Sequence, residues 1–221
     1  MNVTPATRMG ASIAVAVGIY GISFGALSVT SGLSVAQTSC LSLLMFTGGS
    51  QFAFIGSIAG GGPAALLSAS LMGVRNALYG AHMASLLSPR GWRRLGYAQI
   101  TIDESVATAI AQSGGAEQRR GFLTAGIGVY LLWNVFTLAG ALLGNALGDP
   151  RRWGLDGAAV TAFLALLWPR LRSHDTVAVA VVAALVTAVS VPTLPAGVPL
   201  LVAAAVTAGL TLWTTRRRDT A

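Results

Sequence analysis

Apolar runs of about twenty residues recur from Met9 to Trp213, separated by short clusters of Gly, Pro and Arg. Twenty residues in helical form, rising about 1.5 Å each, match the roughly 30 Å hydrocarbon layer of a bilayer. In lipid the backbone must satisfy its own polar groups, and runs of this length do so as helices. Of the 221 residues only 10% are charged against 54% hydrophobic, a balance outside ordinary soluble usage. The 14 cations are all Arg, and most lie in short loops between apolar runs. The net charge of +7 is therefore read as a membrane topology signal and not as a nucleic-acid surface. The single cysteine, Cys40, allows no internal disulfide. Met1 to Met9 has no basic region and no A-x-A-like cleavage site, so the first run is read as a mature helix. The expected fold is an all-α polytopic membrane protein of about seven spans (seven or eight).

The spans follow in order. The first runs from Gly10 to Thr30, where Gly21 and Gly25 make a small-xxx-small step for close helix packing. Gly32-Leu33-Ser34 turns the chain, with Ser34 placed as an N-cap for a run from Val35 to Ala59. Gly60-Gly61-Gly62-Pro63 is a turn before a third run, Ala64 to Leu87. After the basic loop at Pro89–Arg94, the stretch Leu95 to Gln112 is short and polar and reads as an amphipathic or re-entrant helix. A long run, Gly121 to Leu147, holds Trp133-Asn134 and a second close-packing step, Gly140 with Gly144. Trp133 and Asn134 are expected to pack, with one hydrogen bond between helices. Shorter runs follow at Leu155–Trp168, Thr176–Val191 and Ala196–Thr215, and Arg216-Arg217-Arg218 closes the chain.

If Leu95–Gln112 does not span, ten loop arginines share one side with the C-terminus and Arg8, Arg151 and Arg152 lie on the other. The positive-inside rule then puts the C-terminus in the cytoplasm with seven spans. An internal echo links Gly25…Gly32-Leu33-Ser34-Val35-Ala36 to Gly144…Gly154-Leu155-Asp156-Gly157-Ala158. It divides a single membrane domain, 1–221, into a first repeat (10–94), a short segment (95–120), a second repeat (121–191) and a final span (196–215). An odd offset makes the two three-helix repeats inverted, an arrangement transporters use.

Polar residues inside the runs mark the candidate site. Thr47-Gly48-Gly49-Ser50-Gln51 interrupts the second run, and paired glycines weaken a helix by about 1 kcal/mol each. A break near Gly48 exposes amides at a helix N-terminus, a place for an anionic group; a kink at a tight crossing is the alternative. Arg75-Asn76 interrupts the third run, and Arg at membrane depth costs at least about 3 kcal/mol. Its planar fork suits a substrate carboxylate or an acidic partner, Asp103 or Glu104. Tyr79 and His82 share its helix face. Asp103 and Glu104, the only acidic pair, are candidates for a proton relay or for an Arg75 counter-ion; a solvated helix turn at the interface is the alternative. Asp156 opens a span, as an N-cap or as a further ion-pair member. The sequence holds no metal-ligand cluster, phosphate loop or catalytic triad, so no cofactor, metal or enzymatic activity is expected.

As a set, Phe24-Gly25, Gly32-Leu33-Ser34, Gly48-Gly49-Ser50-Gln51-Phe52, Arg75 to Gly80, Asp103-Glu104-Ser105 and Gly154-Leu155-Asp156 are similar to the AzlC family. That family is the larger subunit of two-component branched-chain amino acid exporters. Its members commonly show Arg-His where this chain has Arg75-Asn76. The resemblance implies export of amino acids of the Leu, Ile, Val or Met class, driven by an ion gradient, together with a small AzlD-like membrane subunit. A channel-like pore and a non-transporting scaffold subunit are the rival readings.

Overall fold

The computed structural model describes residues 4–56, 58, 62–147, 164, 167–168, 171–195 and 198–219. Asp156, most of the expected Leu155–Trp168 span and the second half of the internal echo lie outside the described residues. Those described form helices and connecting turns only, without strands. The first two, α1 (Pro5–Ile19) and α2 (Gly21–Thr30), are nearly continuous, with Tyr20 between them. There the hydrogen bonds tighten to three-residue spacing, Tyr20 N donating to Val17 O and Ser23 N to Tyr20 O. Together α1 and α2 are long and apolar enough to cross a membrane, as is the stretch Gly115–Ala146. Thr4 caps α1, its hydroxyl accepting from Thr7 N.

Gly32, at φ +103°, ends α2, and Leu33 N reaches back to Ser28 O in the manner of a Schellman cap. Ser34 then caps α3 (Val35–Leu44) in a full capping box with Gln37. The chain leaves helix at Met45–Thr47 and re-enters as α4 (Gly48–Gly56), so the second apolar run is two half-helices. It is followed by α5 (Gly62–Leu87), with Pro63 in its first turn. The expected short segment is likewise broken, into α6 (Arg93–Gln99) and α7 (Asp103–Ile110), with Ile100–Ile102 between. Next come α8 (Gly115–Leu147), α9 (His174–Ser190) and α10 (Val198–Asp219), the last two joined by the turn after Ser190 and packed as a hairpin. At 33 residues α8 is about 50 Å long, more than a bilayer core needs.

Two faces of α8 organise the molecule. On one, Ile127, Leu131, Val135, Leu138 and Leu142 form an exposed apolar stripe at helical spacing, suited to lipid and unsuited to water. On the other, α8 meets α1 and α2 along a seam of glycines. A Cβ at Gly25 would fall on Thr137 O, and one at Gly140 on Ile22 O, both far inside van der Waals contact. Gly21 approaches Trp133 O, and Gly144 approaches the Ala26 Cα, to within 2.6 and 2.9 Å of where a Cβ would stand. The two close-packing steps seen in the sequence thus pack on one another, backbone against backbone.

The buried core lies beside this seam. Phe24, Phe52, Tyr20 and Trp133 form one aromatic cluster, with ring centroids 5.4–6.4 Å apart. Trp133 therefore packs as expected, but Asn134 does not bridge helices: its Nδ2 donates to Tyr130 O of the same helix at 2.8 Å. At i−4 that carbonyl is simply the nearest acceptor.

The seam predicts a difference between two identical substitutions. Gly140→Ala should lower the thermal midpoint of the purified protein, corresponding to about 1–3 kcal/mol of overpacking. Gly209→Ala, where no atom lies within 4 Å, should leave it unchanged or raise it. Equal effects would contradict a backbone-contact seam.

Candidate functional site

The site is built from two helix breaks and the middle of α5. At the first break, Met45 (φ −98°, ψ 59°) leaves helical geometry, and the glycines of Gly48-Gly49 open α4 instead of sitting inside the break. Thr47 occupies the N-cap position. Yet its Oγ1 is buried without a hydrogen-bond partner, and so is the Oγ of Ser50 one turn on. The first α4 amide to find a helical acceptor is Gln51 N, on Thr47 O at 3.0 Å. Thr4, Ser34 and Ser173 cap their own helices with side-chain oxygens; Thr47 does not. Among the described residues, then, no side chain is spent on neutralising the positive dipole charge of the α4 N-terminus.

Gln51 is fully buried. Its Nε2 donates to Leu41 O at 3.3 Å, tying α4 back to the end of α3, while its Oε1 has no partner. Gly48 lies against the aromatic cluster, with Trp133 Cη2 3.7 Å from where its Cβ would be. Gly73 of α5 faces Ser50 at a similar 3.7 Å, which brings α5 alongside the break.

Two residues on, Arg75 Nη2 meets Asp103 Oδ2 at 2.6 Å. The pair is half-buried, with side-chain exposures of 41% and 20%. It uses one edge of each group: Arg75 Nε and Asp103 Oδ1 are buried and unpartnered. The guanidinium also lies 5.9 Å from the Tyr79 ring centroid. Asn76 Nδ2 donates to Thr101 O at 3.2 Å, inside the second break. Asp103 and Glu104 open α7, where carboxylates complement the helix dipole. Ser105 secures that turn, its hydroxyl accepting from Ile102 N at 3.0 Å and donating to Ile100 O at 2.7 Å. Glu104 has no ion-pair partner among the described residues, and His82 is exposed on the surface.

Thus α5 and α7 bring Arg75, Asn76 and Asp103 together, and α4 gathers Thr47, Gly48, Gly49, Ser50 and Gln51 beside Gly73. Two residues joining the breaks carry no mark in the sequence. Gln99 Nε2, at the end of α6, donates to Leu43 O at 2.8 Å, and Tyr130 OH of α8 donates to the same carbonyl at 3.2 Å. Neither lies in a polar cluster within an apolar run, which is the only local signal available. Among the described residues no group of His, Cys, Asp and Glu is placed to hold a metal ion. The open groove of about 310 Å³ lined by Leu33, Gln37, Cys40, Leu41, Leu44 and Phe54 is apolar and lies outside this constellation.

The family model described as AzlC protein matches residues 12–147. That span runs from α1 through α8 and includes every candidate residue except Asp156. No curated protein and no solved structure matches the chain. The family is of transporter type, associated with branched-chain amino acid transport, and with the apolar helices it points to a membrane protein. On a match covering well over half its length, this chain belongs to the AzlC family.

Proposed function

We propose that this chain is the permease subunit of an exporter of branched-chain or other apolar amino acids, working by alternating access in the cell membrane with its C-terminus cytoplasmic. A small AzlD-like membrane protein is its partner and an ion gradient drives it. The observation that carries the reading is the uncapped α4 N-terminus, where Thr47 Oγ1 and Ser50 Oγ are buried without partners. Free amides, two hydroxyls and a dipole end suit a carboxylate. The end of α3 carries the opposite partial charge; Leu41 O and Leu43 O there already accept from Gln51, Gln99 and Tyr130, and the remaining last-turn carbonyls suit an ammonium group. A zwitterion needs both, and the break supplies them within one short stretch. The aromatic cluster against Gly48 offers an apolar wall for the side chain.

Arg75 and Asp103 form the coupling element in this reading. Protonating Asp103 removes the anion that holds Arg75, freeing the guanidinium for a substrate carboxylate or for motion of α5 against α7. Glu104 stands beside it as a second proton acceptor, and Asp156 is kept as a candidate ion-pair member. A non-transporting membrane subunit is the second reading. It draws on the same ion pair, in which Asp103 gives Arg75 a counter-ion from within the chain.

Leucine efflux from cells expressing the chain with an AzlD-like partner tests the proposal. Ser50→Ala and Arg75→Ala variants that still reach the membrane should each lose about tenfold or more in efflux, as expected for a hydrogen bond or ion pair to a charged group. Unchanged efflux in both would favour the scaffold reading. Asp103→Asn, which cannot titrate, should remove the acceleration of efflux by an imposed proton gradient; a response equal to wild type would exclude Asp103 as the coupling group.

A further inference from the structure

The polar bonds joining the two helix breaks converge on a single backbone atom. Leu43 O belongs to the last turn of α3, where carbonyls lack helical partners and would be costly to leave bare at membrane depth. It takes two side-chain donors from elements distant in sequence, Gln99 of α6 and Tyr130 of α8. Tyr130 holds the same segment a second time, its ring meeting Phe46 edge-on with centroids 4.9 Å apart. Met45–Thr47, the three residues between α3 and α4, are thus gripped at Leu43 and at Phe46.

Gln99 is also the first residue of a tether. Within the next four residues, Thr101 O accepts from Asn76 and Asp103 pairs with Arg75. A displacement of Asp103 from Arg75 therefore reaches Leu43 through one short stretch of non-helical backbone. The glycine seam of α1 and α2 on α8 is backbone in contact with backbone and resists sliding, so Tyr130, rooted in α8, supplies a fixed reference.

We infer that Gln99 and Tyr130 are positioning residues that set the α4 N-terminus by donating to Leu43 O, and that Gln99 links this setting to the Arg75–Asp103 pair. The inference deepens the proposed substrate site and rests on it only for its transport consequence. Neither residue needs to touch the substrate. Each acts through the Leu43 carbonyl on amides that begin five residues later.

Hydrogen exchange of the full-length protein in lipid nanodiscs tests this without substrate. Tyr130→Phe keeps the ring on Phe46 and loses the hydroxyl, while Gln99→Met keeps the chain length and loses the donor. In the double variant the hydrogen-bonded amides on either side of the α4 start, Thr47 N on Met45 O and Gln51 N on Thr47 O, should exchange at least threefold faster, with exchange along the α1–α2 and α8 seam unchanged. Asp103→Asn should produce the same acceleration at Thr47 and Gln51. In leucine transport the double variant should raise the half-saturating concentration at least threefold and keep the maximal rate within twofold. Gln99→Asn, which retains the amide donor, should recover part of the loss. Unchanged exchange at Thr47 and Gln51 in the double variant would overturn the inference, whatever the transport result. Accelerated exchange in a protein that moves no leucine would uphold the positioning role and remove the transport reading instead.

Discussion

Backbone contact between the α1–α2 rod and α8 is the constraint on which the rest of the fold depends. In lipid there is no hydrophobic drive to bring helices together, so association relies on close packing and on polar contacts. Gly25 on Thr137 O and Gly140 on Ile22 O bring two main chains as near as they can come. Smaller approaches extend the seam in both directions, Gly10 beside Ala125 and Gly144 beside Ala26. This contact turns one face of α8 inward from Ala125 to Gly144. It thereby fixes Trp133 for the aromatic cluster and Tyr130 for the first helix break.

Against that rigid unit, the half-helices are held by bonds of a different kind. Gln51, Gln99 and Tyr130 each donate one hydrogen bond to an α3 carbonyl. Asn76 donates one to Thr101 in the second break, and Arg75 pairs with Asp103 where α7 opens. Single hydrogen bonds of this type contribute on the order of 1 kcal/mol net, and can be exchanged for others at little cost. The molecule thus divides into a part fixed by backbone sterics and a part fixed by replaceable polar contacts. Every candidate residue described lies in the second part, which is where a cycle of alternating conformations would need them.

The sequence made several of these features readable. Long apolar runs mark the described helices, Ser34 marks the α3 cap, and Arg75 calls for an anion, a substrate carboxylate or Asp103 or Glu104, of which the structure selects Asp103. Gly21, Gly25, Gly140 and Gly144 were legible as close-packing steps. That they pack on each other was not, since spacing identifies a face and not what covers it. The first break was placed near Gly48 and falls at Met45–Thr47. The glycines serve to open α4, and Thr47 stands where a cap would. Asn134 was expected to cross between helices and bonds within its own, where an i−4 carbonyl was available. Gln99 and Tyr130 escaped notice because their partner is a backbone carbonyl, which has no identity in a sequence.

The central claim is that the α4 N-terminus binds a carboxylate. The direct measurement is equilibrium binding to the purified full-length protein of leucine and of leucinamide, which keeps the ammonium group and side chain but lacks the anion. The account predicts that leucine binds at least tenfold tighter, and that Ser50→Ala narrows the difference by weakening leucine alone. Equal binding of the two compounds would contradict it.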